Sequence, residues 1–322
     1  MVPGRVTPQL RLPPPTLSRM SAVGIDIGGT RIKAGRVSPA GDVTEPRVVD
    51  TPQHADDIVQ AVASLIGQYQ ADHSVSQVGV AVAAFLDVRR ERIELSPNID
   101  WQDRPLRDEL SQLVGCSIVL ENDANAAGFA EARLGAGQNA NPMVMFTLGT
   151  GVGGAVVIDG EVLIGSRGLA GELGHLIVEP GGAVCGCGQR GCLETVSSGT
   201  AMMNHLRLEH GVQVESPEQL AETLSGSSEL LESVVERVAW GLVQGVLQVH
   251  AVIDPAVVVI GGGVADRLGE RLIDAVDVER EKVSRDRRSE AFPEIRLAQV
   301  GNQAGVVGAA LLAMTQPQEA DQ

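Results

Sequence analysis

The chain has 322 residues, 43% hydrophobic and 20% charged, a composition that folds and leaves room for about two domains. Its 25 Lys and Arg against 41 Asp and Glu leave a net charge of −16, which repels nucleic-acid phosphates and anionic lipid and excludes both as non-specific partners. Aromatic residues are 2% of the chain, too few for a site built on base stacking. The most apolar stretch, 241–263, is broken by Gln244, Gln248, His250, Asp254 and Pro255, so no membrane span is expected.

Residues 1–20 carry the Pro13–Pro15 run and no apolar core of the kind a signal peptide needs, and read as a disordered extension, with Met20 an alternative start. An apolar strand at 22–27 then runs into Gly28-Gly29-Thr30 and a second strand at 32–37, turned at Pro39, Gly41 and Asp42. Ile58, Val59, Val62, Leu65 and Ile66 recur at helical spacing and predict a helix over 56–70. A buried strand is predicted at 78–84 and a helix opened by Pro105 follows. A strand at 117–120 then leads into a helix over 122–134 that ends at Gly135.

The pattern then restarts. A strand at 143–148 meets the glycine-rich turn 149–154 and a strand at 155–158, and aligning Ile27-Gly28-Gly29-Thr30 with Leu148-Gly149-Thr150-Gly151 suggests two related halves. A long apolar helix over 230–253, a strand at 257–260 running into Gly261-Gly262-Gly263, a weaker strand at 295–297 and a closing helix over 306–314 complete the reading, with a frayed tail beyond. Strands alternating with helices predict an α/β fold.

Gly149-x-Gly151-x-x-Gly154 matches the dinucleotide fingerprint as a string, but that fingerprint must open a helix, and here Ala-Val-Val-Ile-Asp-Gly follows as a strand and turn. Glycine hairpins whose backbone N–H groups can approach an anion are what remains, and three glycine turns after apolar strands point to phosphate. Cys185, Cys187 and Cys192 sit in a glycine-rich loop just after His175. Three thiolates and an imidazole make a complete tetrahedral set for structural zinc, whereas three clustered cysteines cannot all pair as disulfides. Cysteines in an acidic chain without a signal peptide suggest a reducing cytoplasm. Cys116, before an apolar strand, reads as a small buried side chain. Asn122 or Asp123 suits a helix N-cap, and Asp123 also suits a side chain facing a cleft. Glu172 and Glu194 bracket the cysteine loop, pre-ordered to grip sugar hydroxyls.

These stretches resemble the ROK family of bacterial sugar kinases, with its ATP-dependent glucokinases the nearest pattern. The resemblance is carried by Gly24-Ile-Asp-Ile-Gly-Gly-Thr30, Ser96-Pro-Asn98 with Trp101, Glu121-Asn-Asp-Ala-Asn125, Leu148-Gly-Thr-Gly-Val-Gly-Gly154, Gly171-Glu-Leu-Gly-His175, Cys185-Gly-Cys-Gly-Gln-Arg-Gly-Cys-Leu-Glu194 and Val259-Ile-Gly-Gly-Gly263. It implies an actin-like, hexokinase-like (ribonuclease H-like) pair of α/β domains around a cleft. The smaller would be 21–121 plus 305–316, the larger 122–304 with the zinc loop 175–194, and 317–322 a tail. It also implies a homodimer or homotetramer.

By the same resemblance, Asp123 is the general base that takes the 6-hydroxyl proton of glucose as that oxygen attacks the γ-phosphoryl of Mg·ATP. Asn98, Asn122, Asp123, Glu172, His175 and Glu194 would bind sugar, Asp26 would lie at the Mg²⁺–phosphate site, and Gly29, Thr30, Thr150, Gly151 and Gly262 would surround the nucleotide phosphates. His175, Cys185, Cys187 and Cys192 would hold zinc. Two positions depart from the family pattern: Arg31 stands where Lys is usual, and Ala84 stands where Gly precedes Phe, which puts an added Cβ at the sugar edge. Kinases of N-acetylmannosamine, N-acetylglucosamine or fructose are the near alternatives. A sugar-sensing ROK transcriptional regulator is the distant one, since such proteins carry roughly 60 residues of DNA-binding domain ahead of the first glycine turn.

Overall fold

The computed structural model describes residues 21–72, 75–96, 99–284 and 292–315. Residues 1–20, the tail 317–322 and Asn98 lie outside them. The first glycine turn joins β1 (Ala22–Ile27) to β2 (Arg31–Val37), antiparallel, and β2 pairs onward with β3 (Val43–Asp50). After helix α1 (Ala55–Asp72), β4 (Val78–Val82) returns parallel to β1, and all five of its residues are buried, as a strand covered on both faces requires. A small antiparallel sheet of β5 (Phe85–Leu86), β6 (Ile93–Leu95) and β7 (Gln102–Arg104) intervenes. Helix α2 (Leu106–Val114) and β8 (Ile118–Asn122) follow, and β8 lies parallel to β4. The first sheet therefore runs β3-β2-β1-β4-β8. Helix α3 (Asp123–Leu134) leaves its end directly.

The second half repeats this. β9 (Met143–Leu148), β10 (Val152–Ile158) and β11 (Glu161–Val162) form the antiparallel part. The metal-type loop, helices α4 (Glu194–Ser197), α5 (Gly199–Glu209), α6 (Pro217–Gly226) and α7 (Ser228–Ile253) come next, then β12 (Val257–Gly261), α8 (Gly263–Leu268), α9 (Glu270–Ser284), β13 (Glu294–Leu297) and α10 (Ala304–Thr315). The second sheet runs β11-β10-β9-β12-β13, the same order as the first, which accounts for the repeated strand–glycine–strand pattern in the sequence.

Helices α3 and α10, each launched from the last strand of one half, lie side by side between the two sheets. α10 packs on β1 and β4, α3 on β10. The approach of α10 is close enough that side chains at Gly24 and Gly79 would run into the carbonyls of Val306 and Ala309. The outer face of the first sheet is covered by α1 and α2 around Ile25, Ile66, Tyr69 and Leu110, and that of the second by α5 to α9 around Phe146, Leu242, Val246 and Leu272. Among the described residues no helix is long and apolar enough to cross a membrane.

Several boundaries differ from the sequence reading. The second glycine turn is shorter than 149–154: β10 already starts at Val152, and Gly153 and Gly154 are strand residues whose missing side chains admit Ala124 and Leu173. Asn122 is the N-cap of α3, not its first residue, accepting the N–H groups of Ala124 and Asn125. Cys116 is half-buried against the first core, less enclosed than expected. Ala84 is 4% exposed and packs into that core. The small sheet and α5, α6, α8 and α9 occupy stretches where no element was predicted.

Candidate active site

The centre of the site is the junction of β8 and α3. β8 delivers Glu121 and Asn122 to the sheet's C-terminal end, and the Asn122 side chain accepts Ala124 N at 2.9 Å and Asn125 N at 3.1 Å, so α3 starts there in one defined orientation. The Asn122 amide also donates to Ala84 O at 3.3 Å, tying the junction to the end of β4. Asp123 is the first helical residue, and its Oδ1 accepts Ala124 N at 2.9 Å. Burial pushes the Asp123 carboxyl above the usual aspartate range, against the pull of the Ala124 and Asp123 N–H groups and the Asn122 side chain.

Asp123 stands electrostatically between two other carboxylates. Asp26, at the end of β1 before the first glycine turn, is pushed up to about 6 by burial and then by the Asp123 charge, with Lys33 pulling the other way. Glu172, just ahead of the short 3₁₀ turn Leu173–His175, is pushed up to about 7 by burial, then by Asp123 and Glu194, with Arg90 opposing. The fold thus gathers Asp26, Asp123, Glu172 and Glu194, four acids from β1, α3 and both flanks of the cysteine loop.

Glu194 faces two ways. Its Oε2 accepts Val152 N at 3.1 Å, beside the second glycine turn, where a Cβ on Gly151 would collide with that carboxylate. Its Oε1 lies 3.5 Å from Cys185 Sγ.

The cysteine loop brings His175, Cys185, Cys187 and Cys192 together with their ligand atoms all within 4.8 Å of one another. Cys185 Sγ is 3.6 Å from His175 Nδ1, and Cys187 Sγ is 3.7 Å from Cys192 Sγ. A tetrahedral ion with metal–sulfur bonds of about 2.3 Å has ligand–ligand edges of about 3.8 Å, so the donor set and its spacing fit such an ion. The strand-like bridges Ile177–Cys192 and Val184–Arg190 fold the loop upon itself, and Leu193 N bonds Leu176 O at 2.8 Å. Burial pushes Cys185 up to about 12 and also raises Cys192, while the Gln189 N–H lowers Cys187, the exposed member. A divalent cation would hold such thiols as thiolates.

The two glycine turns are tied down in the same way. In the first, Thr51 donates Oγ1 to Gly28 O at 2.7 Å and its N–H to Thr30 O at 2.9 Å. In the second, Thr200 donates Oγ1 to Thr150 O at 2.9 Å, and Gly199 N bonds Gly149 O at 2.8 Å from the start of α5. Turn carbonyls engaged from behind leave turn N–H groups to face an anion. Gly262, between β12 and α8, abuts the root of the second turn: a Cβ there would come within 2.8 Å of Leu148 N. Gly29 and Thr30 sit in the exposed first turn.

Sequence reasoning missed Arg90, Gly168, Thr51 and Thr200. Arg90 Nε pairs with Glu121 at 3.0 Å, and Nη1 reaches Gly168 O at 3.3 Å. Nothing in its neighbourhood of Asp87-Val88-Arg89-Arg90-Glu91-Arg92 marks it out from the other arginines. Only the long-range approach of Glu121 and Gly168 does.

Two sheets of equal order with one helix from each between them, and a site at their shared end, make this the actin-like, hexokinase-like fold. Residues 22–316 match the ROK family model, and the chain belongs to the ROK family. The glucokinase of Streptomyces coelicolor is 33% identical over 308 residues, 90% of this chain and 96% of that one. The N-acetylmannosamine kinase of Haemophilus influenzae is 32% identical over 294 residues, 90% of this chain and 94% of its own length. The crystal structure of a ROK family glucokinase from Streptomyces griseus in complex with glucose and AMPPNP superposes with a TM-score of 0.80 at 33% identity, covering 92% of this chain and all of that one.

Proposed function

We propose that this chain is an ATP-dependent kinase that phosphorylates glucose at its 6-hydroxyl, with Asp123 as general base. The observation that carries this reading is the position of Asp123, whose charge acts on Asp26 beside one glycine turn and on Glu172 beside the cysteine loop. A base for phosphoryl transfer must stand between donor and acceptor in this way. The 33% identity to glucokinases over nine-tenths of the chain supports the substrate.

In this reading 21–121 with 305–316 forms one lobe and 122–304 the other. Asn98, Asn122, Glu172, His175 and Glu194 hold the sugar, and the N–H groups around Gly29, Thr30, Thr150, Gly151 and Gly262 hold the phosphates. Asp123 accepts the hydroxyl proton as the O6–phosphorus bond forms and the bond from the γ-phosphorus to the oxygen leaving with ADP breaks. The buried Asp26 carboxylate, paired with a second acid, fits a Mg²⁺–phosphate ligand. Mg²⁺ supplies charge neutralisation for the transferring group. His175, Cys185, Cys187 and Cys192 hold structural zinc, which fixes the loop that carries Glu172 and Glu194. His175 presents Nδ1 to this cluster, leaving Nε2 for a sugar hydroxyl. All four cysteines are free thiols, which supports a cytoplasmic setting.

ADP release measured against a panel of hexoses and N-acetylhexosamines, with ATP and polyphosphate as separate donors, tests the proposal. Turnover highest with glucose and ATP is expected. No product from any sugar overturns the kinase reading. A preference for N-acetylmannosamine favours the second reading, which the 32% identity to an N-acetylmannosamine kinase supports.

A further inference from the structure

Arg90 occupies the turn between β5 and β6 with φ +56°, a left-handed conformation that a non-glycine residue adopts at a cost, and its side chain is only 12% exposed. Its guanidinium joins three separate segments. Nε contacts both oxygens of Glu121, at 3.0 and 3.3 Å, and Nη1 donates to Leu86 O at 3.5 Å and to Gly168 O at 3.3 Å. Gly168 belongs to the segment leading into Glu172. It has φ +79°, and a side chain there would collide with Leu86 O and come within 3.1 Å of Arg90 Nη1, so this close approach requires glycine.

Glu121 passes the constraint on. Its Oε1 accepts Asn122 N at 2.8 Å and the Asn125 side-chain amide at 3.1 Å, bracketing Asp123 on both sides. The pair is poorly designed as a stabiliser: Nη2 of Arg90 is buried and has no hydrogen-bond partner among the described residues. A buried ion pair with an unsatisfied donor returns little net stability against the desolvation of both charges, so its use here is geometric.

We infer that Arg90 is a positioning residue for phosphoryl transfer. Through Glu121 it fixes the Asn122–Asn125 turn that aims Asp123, and through Gly168 it holds the Glu172 segment of the other half in register with that turn. Nη2 is sealed from solvent and does not reach a sugar, so the role is exerted through Glu121 and not by contact with substrate. The inference rests on the kinase reading for its effect on turnover, but its structural core does not.

The experiment compares the full-length parent with Arg90→Met, Arg90→Lys and Glu121→Gln, using two measurements. Amide hydrogen exchange without substrate reads the turn itself: in Arg90→Met the amides of 122–125 exchange at least ~10-fold faster while those of α7 are unchanged. Steady-state kinetics reads its consequence: kcat falls at least ~20-fold with the KM for ATP within about twofold of the parent, and Arg90→Lys, which keeps the charge facing Glu121, recovers most of the loss. Glu121→Gln reproduces the exchange effect and carries the test by the same amides if Arg90→Met does not fold. Parent-like protection of 122–125 in folded Arg90→Met or Glu121→Gln, or a loss of protection shared equally with α7, overturns the inference. If the parent phosphorylates no sugar, the kinase reading fails, and the exchange comparison still decides whether Arg90 orders the turn.

Discussion

The two halves have the same strand order, β3-β2-β1-β4-β8 against β11-β10-β9-β12-β13, and differ in what is inserted between the strands. The first half keeps its third-to-fourth strand link to the single helix α1 and places a small sheet and Arg90 before its last strand. The second fills its third-to-fourth link with the cysteine loop and four helices. The helix after the last strand differs as well: α3 begins with Asp123, whereas α10 begins with Ala304 and Gly305, the latter seated against the Asp26 carboxylate. The shared framework supplies two glycine turns; on the proposed reading, the start of α3 supplies the base, and the insertion of the second half brings Glu172, His175 and Glu194. One duplicated scaffold can thus carry different chemistry at its two equivalent helix starts.

The sharpest way to break this comparison is Asp123→Asn, which removes the acid that only one half possesses. Turnover is expected to fall about 10²–10⁴-fold while glucose affinity by calorimetry is largely kept. Near-normal turnover would return Asp123 to the role of an ordinary first-turn residue.

Asp26→Asn tests the first half's buried acid. Because Asp26 is raised from 3.8 to about 6, the native state retains a proton that the unfolded chain has released between those pH values. Parent stability therefore drops as pH rises through that window and stays lower above it, by about 3 kcal/mol for a shift of this size. The variant should melt higher than the parent at pH 8, with the gap closing toward pH 4. Equal melting temperatures at pH 8 would show that the carboxylate is not penalised. Thr147, facing the corresponding place in β9, is neutral and predicts no such dependence for the second half.

Cys187→Ser addresses the second half's insertion. It should abolish bound zinc, measured by elemental analysis, and raise the glucose KM about 10-fold with the ATP KM nearly unchanged. Loss of metal with an unaltered glucose KM would uncouple the loop from the sugar.

The smallest effects concern the shared part. Thr51→Val and Thr200→Val each remove a hydroxyl bond behind a glycine turn, worth about 1 kcal/mol, and each should raise the KM for ATP about fivefold without touching that for glucose. An effect from Thr200 alone would mean that only the second turn holds phosphate.

The parts of this architecture legible in the sequence are those written locally. Glycine turns between apolar strands and a Cys-x-Cys loop beside His175 each announce themselves within a few residues, because backbone approach and thiolate ligation restrict residue type at short range. β5 to β7 were not legible: strands of two or three residues have no period to detect. Nor was the extent of β10, since Gly153 and Gly154 read as a turn until Ala124 and Leu173 are seen pressing against them. The meeting of Asp26, Asp123 and Glu172 was anticipated only through family resemblance, and the meeting of Arg90, Glu121 and Gly168 not at all. Both are products of chain segments far apart in sequence, for which no local pattern exists.

The seat of α10 between the sheets has a consequence for how the molecule is made. Residues 304–315 form the inner cover of a sheet whose strands begin at residue 22, and Gln77 bonds Ala313 O across that interval at 3.3 Å. During synthesis, β1 and β4 leave the ribosome long before the helix that seals them, with the grooves at Gly24 and Gly79 open and the inner-face side chains of Ala22, Val37 and Ala81 wet. The N-terminal half thus waits for α10 to be synthesised to complete its core, and a nascent or truncated product stopping short of α10 is a natural client for chaperones and proteases.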